Sequence, residues 1–120
     1  MPLSLLGLRT VIYPAADLAA SKKWWSDFLG IAPYFDEPFY VGFNVGGDEL
    51  GLLPDANRDD GAQVYWGVDD VNTTVEESVA HGATMLAPPT DVGEGIVTAT
   101  VRTPDGSVVG FIFNPHYTQS

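Results

Sequence analysis

The sequence predicts an α+β chain in which one βαβββ module is written twice, because helix-starting, helix-ending and turn residues recur at nearly constant spacing. Asp17 and Asp70, each placed to cap the start of a helix, are 53 residues apart. Gly30 and Gly82, each placed to end a helix, are 52 residues apart. The glycine-containing turns of the last hairpins are 59 residues apart, so the second copy carries extra residues before its final hairpin. We expect the modules to place their helices outside and to curl one mixed sheet around a shared cavity.

The first module is predicted to span about residues 6–54. Short apolar and β-branched runs predict strands over 8–13, 34–35, 39–45 and 49–53, with a helix over 17–29 after the first strand. The side chains that recur at helical spacing predict one buried stripe, formed by Leu18, Ser21, Trp25, Phe28 and Leu29. The polar, turn-rich residues 54–61 are predicted to form a linker between the two modules.

The second module repeats this order over about residues 62–115. Strands are predicted over 63–68, 84–87, 96–102 and 107–113, and the helix that starts at Asp70 carries Val71, Val75 and Val79 on one face. Neither copy could bury its sheet face alone, so we expect residues 1–120 to form a single domain.

Composition excludes several classes of function. The 120 residues include 16 acidic and 5 basic side chains, for a formal charge of −11, which argues against nucleic acid and anionic membrane surfaces as partners. Cysteine is absent, which removes disulfides, thiol nucleophiles and cysteine-ligated metal centres. No apolar run approaches the roughly 20 residues needed to span a bilayer, and the apolar start, residues 1–8, lacks the basic region of an export signal. We therefore expect a cytoplasmic protein.

The order of the short motifs resembles that of the vicinal oxygen chelate superfamily, which includes glyoxalase I, extradiol dioxygenases and bleomycin-resistance proteins. The motifs that carry the resemblance lie over most of the chain, at 17–30, 68–71, 81–83 and 103–107. The resemblance implies the paired-module fold. It also implies a likeness to the metal-free, antibiotic-binding branch, whose members hold a drug between aromatic side chains at a homodimer interface.

The four metal-ligand positions of the family carry almost no donors in this chain. The resemblance places the first-strand positions at Thr10 and Gln63, and the last-strand positions at Gly51 and Gly110. Glycine has no donor side chain, and a neutral amide alone is a poor ligand for a divalent cation. We therefore expect no metal and no cofactor, and the metal-dependent chemistry of the family is not expected either.

The remaining polar and aromatic side chains outside the cavity favour structural roles. His81 falls in the last turn of the second helix, where an imidazolium suits the helix dipole, and His116 falls beyond the last strand. Trp66 is predicted to point toward the helix layer, which favours core packing over ligand contact. A metal site built from unexpected ligands such as Glu49, Gln63 and Glu94 stays open as a minor alternative.

Strand alternation and composition predict a small-molecule site. Alternation places six candidate ligand-binding residues toward the cavity: Thr10, Glu49, Gly51, Gln63, Tyr65 and Gly110. The aromatic-rich segment 33–43 adds five more, three for stacking and two for attracting positive charge: Phe35, Phe39, Phe43, Asp36 and Glu37. An ordinary aromatic strand pair with an acidic turn explains this segment equally well.

Two functions follow from this set. The first is a metal-free homodimer that sequesters an aromatic, cationic natural product or antibiotic and so confers resistance by binding. The second is a metal-independent lyase or isomerase that uses Glu49 as its general base, since apolar neighbours could raise the pKa of that carboxyl.

Overall fold

A computed structural model describes residues 5–117, apart from the side chain of residue 58. Residues 1–4 of the apolar start lie outside the described residues, as do residues 118–120. The elements follow the predicted order, with one added 3₁₀ turn at Arg58–Asp60: β1 Gly7–Pro14, α1 Leu18–Leu29, β2 Phe35–Glu37, β3 Tyr40–Val45, β4 Asp48–Leu53, β5 Gln63–Gly67, α2 Val71–Ala80, β6 Thr84–Asp91, β7 Val97–Arg102 and β8 Val108–Phe113. The chain is therefore α+β, with the βαβββ order present twice.

The predicted aspartates cap the starts of both helices, and the predicted glycine ends α1, whereas the C-cap residue of α2 is His81, one residue before Gly82. The Asp17 carboxylate accepts the Ala20 backbone N–H at 3.1 Å, and the Asp70 carboxylate accepts that of Thr73 at 3.1 Å. Gly30 ends α1 in the left-handed conformation, with φ of 71°, and donates its N–H to Ser26. Capping therefore sets both helix starts where the sequence predicts them.

The described residues group into two compact units that differ slightly from the predicted modules. The N-terminal unit comprises residues 10–63, and the C-terminal unit comprises residues 5–9 with 64–117. The first three residues of β1 thus belong with the elements of the second module, and Leu6 donates its backbone N–H to the Gly67 carbonyl at 2.8 Å.

The N-terminal unit is a mixed sheet with α1 on one face. Its strand order is β2-β3-β4-β1, in which β1 runs parallel to β4 and the other neighbours are antiparallel. The buried side chains Ala15, Val41, Phe43 and Leu52 form its core, and Leu18, Trp25 and Leu29 of α1 pack against them. The predicted stripe of α1 is wrong at Phe28, which is 69% exposed and stacks on Trp24 instead.

The C-terminal unit repeats this plan with α2. Its strand order is β5-β8-β7-β6, with β5 parallel to β8 and the remaining pairs antiparallel. The core comprises valines of α2 and the helix-facing side chains of the strands: Val68, Val71, Val75, Ala99, Val101 and Phe111. Trp66 packs against this core, as predicted, whereas Val79 is 47% exposed.

Strand β6 is longer than predicted. It continues from Thr84 to Asp91 through Pro88 and Pro89, with register shifts against β7. Proline lacks a backbone N–H, which normally argues against a strand, but an edge strand tolerates it because one side of its backbone has no partner strand. Within the described residues, neither helix is long and apolar enough to span a membrane.

Candidate functional site

The sheet face of the N-terminal unit that lies opposite α1 carries the candidate polar and aromatic residues. Strand register sets its composition, because Thr10 pairs with Glu49, and Gly51 pairs with both Ile12 and Gly42. Alternate residues on each strand share a face. Thr10, Glu49 and Gly51 therefore share one face of the sheet, as the alternation predicts.

Two side-chain donors hold the Glu49 carboxylate on this face. Tyr34 Oη donates a hydrogen bond of 2.5 Å to Glu49 Oε2, and the buried Thr10 Oγ1 donates one of 3.5 Å to Oε1. Tyr34 is 62% exposed overall, but partial desolvation of its hydroxyl group, followed by the hydrogen bond to Glu49, raises the pKa of Tyr34 above its ordinary value, so the phenol is a neutral donor at neutral pH. Both donors are neutral, and the negative charge of Glu49 is therefore not cancelled.

Gly42 makes this arrangement possible. A Cβ atom at Gly42 would lie 2.8 Å from Glu49 Oε2 and 3.1 Å from Tyr34 Cε1. Both distances are shorter than a normal van der Waals contact. The carboxylate and the phenol can therefore come together only because residue 42 has no side chain. Tyr34 was not predicted as a partner of Glu49; its place in the strand predicted over 34–35 and its hydroxyl group were the only signals for it.

Two exposed phenyl rings pack together at the β2 edge of the sheet, and one of them shares the face of Glu49. Phe35 pairs with Gly42 and so shares the Glu49 face, and it is 38% exposed. Phe39, in the turn after β2, is 61% exposed, and its ring meets Phe35 edge-on with centroids 6.0 Å apart. The Tyr40 ring also lies near Phe35, with the two centroids 6.1 Å apart. The rings thus form an exposed aromatic group on the sheet face that carries Glu49.

The structure corrects the placement of two predicted site residues. Phe43 is 0% exposed and lies in the core on the α1 side, so it offers no surface for ligand stacking. Asp36 also lies on that side, where its carboxylate pairs with Lys22 Nζ at 3.0 Å. The reason is the β2–β3 register, which pairs odd-numbered residues with even-numbered ones, so Phe35 and Phe43 point to opposite faces. Glu37 pairs with Tyr40 and stays on the Glu49 face.

A tyrosine covers each of the two glycines at the family's last-strand ligand positions. In the N-terminal unit, the phenol end of Tyr40 lies over Gly51, and a Cβ atom there would overlap the hydroxyl oxygen. In the C-terminal unit, Tyr65 is the register partner of Gly110, and its Cγ, Cδ2 and Cε2 atoms would lie 2.8, 2.5 and 2.7 Å from a Cβ at Gly110. Three consecutive ring atoms at nearly equal distances mean that the ring lies flat over this glycine.

The donors present do not fit the family's metal. Both glycines lack a ligand side chain and a tyrosine lies over each, and Gln63, the half-buried first residue of β5, is the one first-strand donor of the usual type. Across residues 5–117, no three His, Cys, Asp or Glu side chains come together as a metal-binding group. We derive no chemistry through a metal at these positions.

The two histidines both belong to the C-terminal unit, whereas Glu49 belongs to the N-terminal unit. The Nδ1 atom of His81 lies 2.9 Å from the Glu77 carbonyl at the end of α2. The Nε2 atom of His116 lies 2.9 Å from the carbonyl of Glu94, a residue with a positive φ in the turn before β7. These contacts are with backbone carbonyls of neighbouring segments, so both imidazoles serve local structure.

Comparison with known proteins agrees with this fold. The profile described as the Glyoxalase/Bleomycin resistance protein/Dioxygenase superfamily matches residues 7–111. No curated protein sequence matches the chain.

Three solved structures illustrate the range of proteins that share the fold. A variant of Streptomyces coelicolor methylmalonyl-CoA epimerase, in complex with 2-nitronate-propionyl-CoA, is 17% identical over 98% of this chain and 99% of its own, with a TM-score of 0.72. A glyoxalase/bleomycin resistance protein/dioxygenase superfamily member from Vibrio splendidus 12B01 is 22% identical over 89% and 99%, with a TM-score of 0.65. An NAD-dependent benzaldehyde dehydrogenase from Legionella pneumophila is 18% identical over 87% and 96%, with a TM-score of 0.65. At these identities the likeness concerns the fold alone. The family profile spans most of the chain, and the protein therefore belongs to the glyoxalase/bleomycin resistance protein/dioxygenase superfamily.

Proposed function

We propose that this protein binds an aromatic, cationic small molecule without a metal, on the sheet face of the N-terminal unit that carries Glu49. One observation carries the proposal: a carboxylate that accepts hydrogen bonds from two neutral donors shares a sheet face with the exposed ring of Phe35, against which the Phe39 ring packs. The carboxylate would pair with the positive group of the ligand, and Phe35 and Phe39 would pack against its ring system, one ring by its face and the other by its edge.

The charges around the site support a cation as the ligand. Glu37 and Glu49 lie on this face, and among the described residues the ion pairs of Lys22 and Lys23 go to Asp36 and Asp27 instead. Two uncompensated carboxylates in a chain of net charge −11 attract cations and disfavour anions. Tyr34 and Thr10 would reduce the cost of binding, because they already hold the Glu49 side chain in place.

The biological role we propose is sequestration, by which a natural product or antibiotic is held away from its target in the cytoplasm. Membership of a superfamily that includes the bleomycin-resistance proteins supports this role. We also propose a homodimer with two equivalent sites. Ligand contact by Gln63, Tyr65 and Gly110 stays a separate prediction, which the site on the Glu49 face does not require.

Ethidium, a flat aromatic cation, and anilinonaphthalene sulfonate, a flat aromatic anion, would test the proposal by fluorescence titration. We expect ethidium to bind and the anion not to bind. Glu49→Gln and Phe35→Ala should each weaken ethidium binding by about 1–3 kcal/mol, whereas Asp36→Asn, on the opposite face, is the matched control and should change it little. Equal affinities in wild type, Glu49→Gln and Phe35→Ala would overturn the proposal.

A second candidate is a metal-independent lyase or isomerase, favoured by the hydrogen bond between Tyr34 and Glu49. The carboxylate could remove a proton from a carbon next to a carbonyl group, and the neutral phenol could donate to the carbonyl oxygen as negative charge develops there. Such a reaction requires a base and a hydrogen-bond donor next to each other in the same site. The sequence analysis found no acid to accompany Glu49, and Tyr34 supplies that group.

Proton exchange would separate this candidate from simple binding. Because a solved structure of the same fold is a methylmalonyl-CoA epimerase, methylmalonyl-CoA is the first compound to test in deuterated water. A proton-transferring enzyme would incorporate deuterium at the carbon between the two carbonyl groups, lose this activity in Glu49→Gln and slow by about a hundredfold or more in Tyr34→Phe. Exchange no faster than in buffer would leave binding as the function.

A further inference from the structure

Arg9 differs from the other described basic side chains in what it contacts. Lys22 and Lys23 each pair with a carboxylate, and Arg102 donates a hydrogen bond of 2.8 Å to a backbone carbonyl. The guanidinium carbon of Arg9 instead lies 3.8 Å from the centroid of the Tyr117 ring. Although the chain carries 16 carboxylate side chains, none in the described residues lies within ion-pair distance of Arg9.

Three residues of the C-terminal unit hold the Arg9 side chain. Tyr117 stacks on the guanidinium, and a Cβ atom at Gly67 would lie 2.7 Å from Nε and 3.0 Å from Cζ. A Cβ atom at Gly7 would lie 3.2 Å from the Nη1 atom. Both glycines therefore let the guanidinium pack directly against backbone, and the side chain is only partly exposed.

Stacking leaves the hydrogen-bonding edge of the guanidinium available. Its donors point outward in the plane of the group, whereas the Tyr117 ring lies over one face, 3.8 Å from the guanidinium carbon. No carboxylate or carbonyl oxygen in residues 5–117 is bonded to these donors, and no buried side-chain nitrogen there lacks a hydrogen-bond partner. Among the residues that the structure describes, the donors of Arg9 are therefore not used by another side chain or carbonyl.

We propose that Arg9 is the anchor of an oxyanion-binding site in the C-terminal unit. The planar fork of donors matches a carboxylate or a phosphate group, which accept two parallel hydrogen bonds. Tyr117 and Gly67 hold this fork in one orientation before the anion arrives, so little side-chain freedom is lost on binding. The site takes the opposite charge to the Glu49 face and does not depend on the function proposed for that face.

Side-chain NMR provides a direct test, because the chain has few arginines and each has one Nε–H group. Sodium phosphate and sodium acetate would be titrated separately into the ¹⁵N-labelled protein, with sodium chloride at matched ionic strength. We expect a saturable shift of the Arg9 Nε–H signal with at least one of the two oxyanions, and no saturable shift of the Arg102 signal. A phosphate-only response assigns the site to phosphate esters, and an acetate-only response assigns it to carboxylates.

Matched variants complete the test. Arg9→Gln should abolish saturable binding, as followed by backbone amide shifts around Gly67, and Arg9→Lys should weaken it by about tenfold because the ammonium lacks the planar fork. Arg102→Gln should leave it unchanged. If Arg9→Gln fails to fold, Tyr117→Leu keeps the charge and removes the stacking ring, and it should weaken binding severalfold. A shift of the wild-type Arg9 signal that only follows ionic strength would overturn the proposal, as would equal binding in the Arg9 variants.

Discussion

Replacing Gly110 by alanine tests the contact between Tyr65 and Gly110. Gly110 is buried in β8, and its backbone lies outside the left-handed region, so alanine is compatible with its conformation. The new Cβ atom would lie 2.5–2.8 Å from three ring atoms of Tyr65, distances at which something must move. Because Cγ, at the root of the ring, is one of the three, the whole ring has to rotate about its own Cα–Cβ bond.

The sign of the change in the free energy of unfolding shows whether the Tyr65 ring lies against Gly110 or whether the space above this glycine is open. Without the ring, exchanging a strand glycine for alanine would stabilise the fold by about 0.5–1 kcal/mol, because glycine loses more backbone freedom on folding. Overpacking of this kind costs about 1–3 kcal/mol. We therefore expect Gly110→Ala to lower the free energy of unfolding by about 1–2 kcal/mol.

Urea denaturation followed by tryptophan fluorescence measures this change. With a slope of about 2 kcal/mol per molar urea, the midpoint should fall by about 0.5–1 M. Gly51→Ala is the matched control, since the nearest atoms there are at the hydroxyl end of Tyr40, which can swing away, and we expect a smaller loss. Combining Gly110→Ala with Tyr65→Ala should remove the penalty, so the two changes should be strongly non-additive.

A stabilised Gly110→Ala variant, together with additive effects in the double variant, would refute the reasoning. It would mean that the Tyr65 ring does not lie against Gly110. The space at this ligand position would then be open rather than filled by a phenol.

Three further changes probe the fold and the Glu49 face. Phe43→Ala should cost about 3–5 kcal/mol in urea denaturation, whereas the exposed Phe28→Ala should cost much less; similar losses would contradict the burial of Phe43. Asp70→Ala should cost about 1 kcal/mol by removing the cap of α2, and an equal loss in Asp69→Ala would show that general charge is responsible. Burial and the hydrogen bond to Glu49 raise the pKa of Tyr34 above 10.0, so the folded state holds this proton more tightly; its contribution to stability is full below about pH 10 and is lost above it. The urea midpoint should thus fall more between about pH 9 and 11 in wild type than in Tyr34→Phe, and parallel falls would argue against a raised pKa.

Local patterns predicted the elements well because their causes are local. The caps at Asp17 and Asp70 and the left-handed Gly30 act within one helical turn, and both helices start where these residues predict. The extension of β6 through Pro88 and Pro89 was not predicted, since a strand tolerates proline only at a sheet edge, and the strand order is a property of the fold.

The site was predicted only in part, because the sequence shows alternation along each strand but not the register in which β2 and β3 pair. Alternation along single strands placed Thr10, Glu49 and Gly51 on one face correctly. Alternation could not predict that Phe35 and Phe43 lie on opposite faces. That depends on the β2–β3 register, which pairs odd-numbered residues of β2 with even-numbered residues of β3. One phenylalanine therefore lies on the Glu49 face and the other in the core.

The sequence alone determined the repeated βαβββ order, the helix starts and the absence of a side-chain donor at Gly51 and Gly110, because each depends on residue identity or on neighbours within a few positions. Only the tertiary structure decided what takes the place of those donors. Tyr40 and Tyr65 come to lie over the two glycines, and Tyr34 reaches Glu49, because strand pairing brings residues that are far apart in the chain to within a few ångströms. The physical reason is that a glycine leaves space above the backbone, and which side chain fills that space depends on the register of the neighbouring strand.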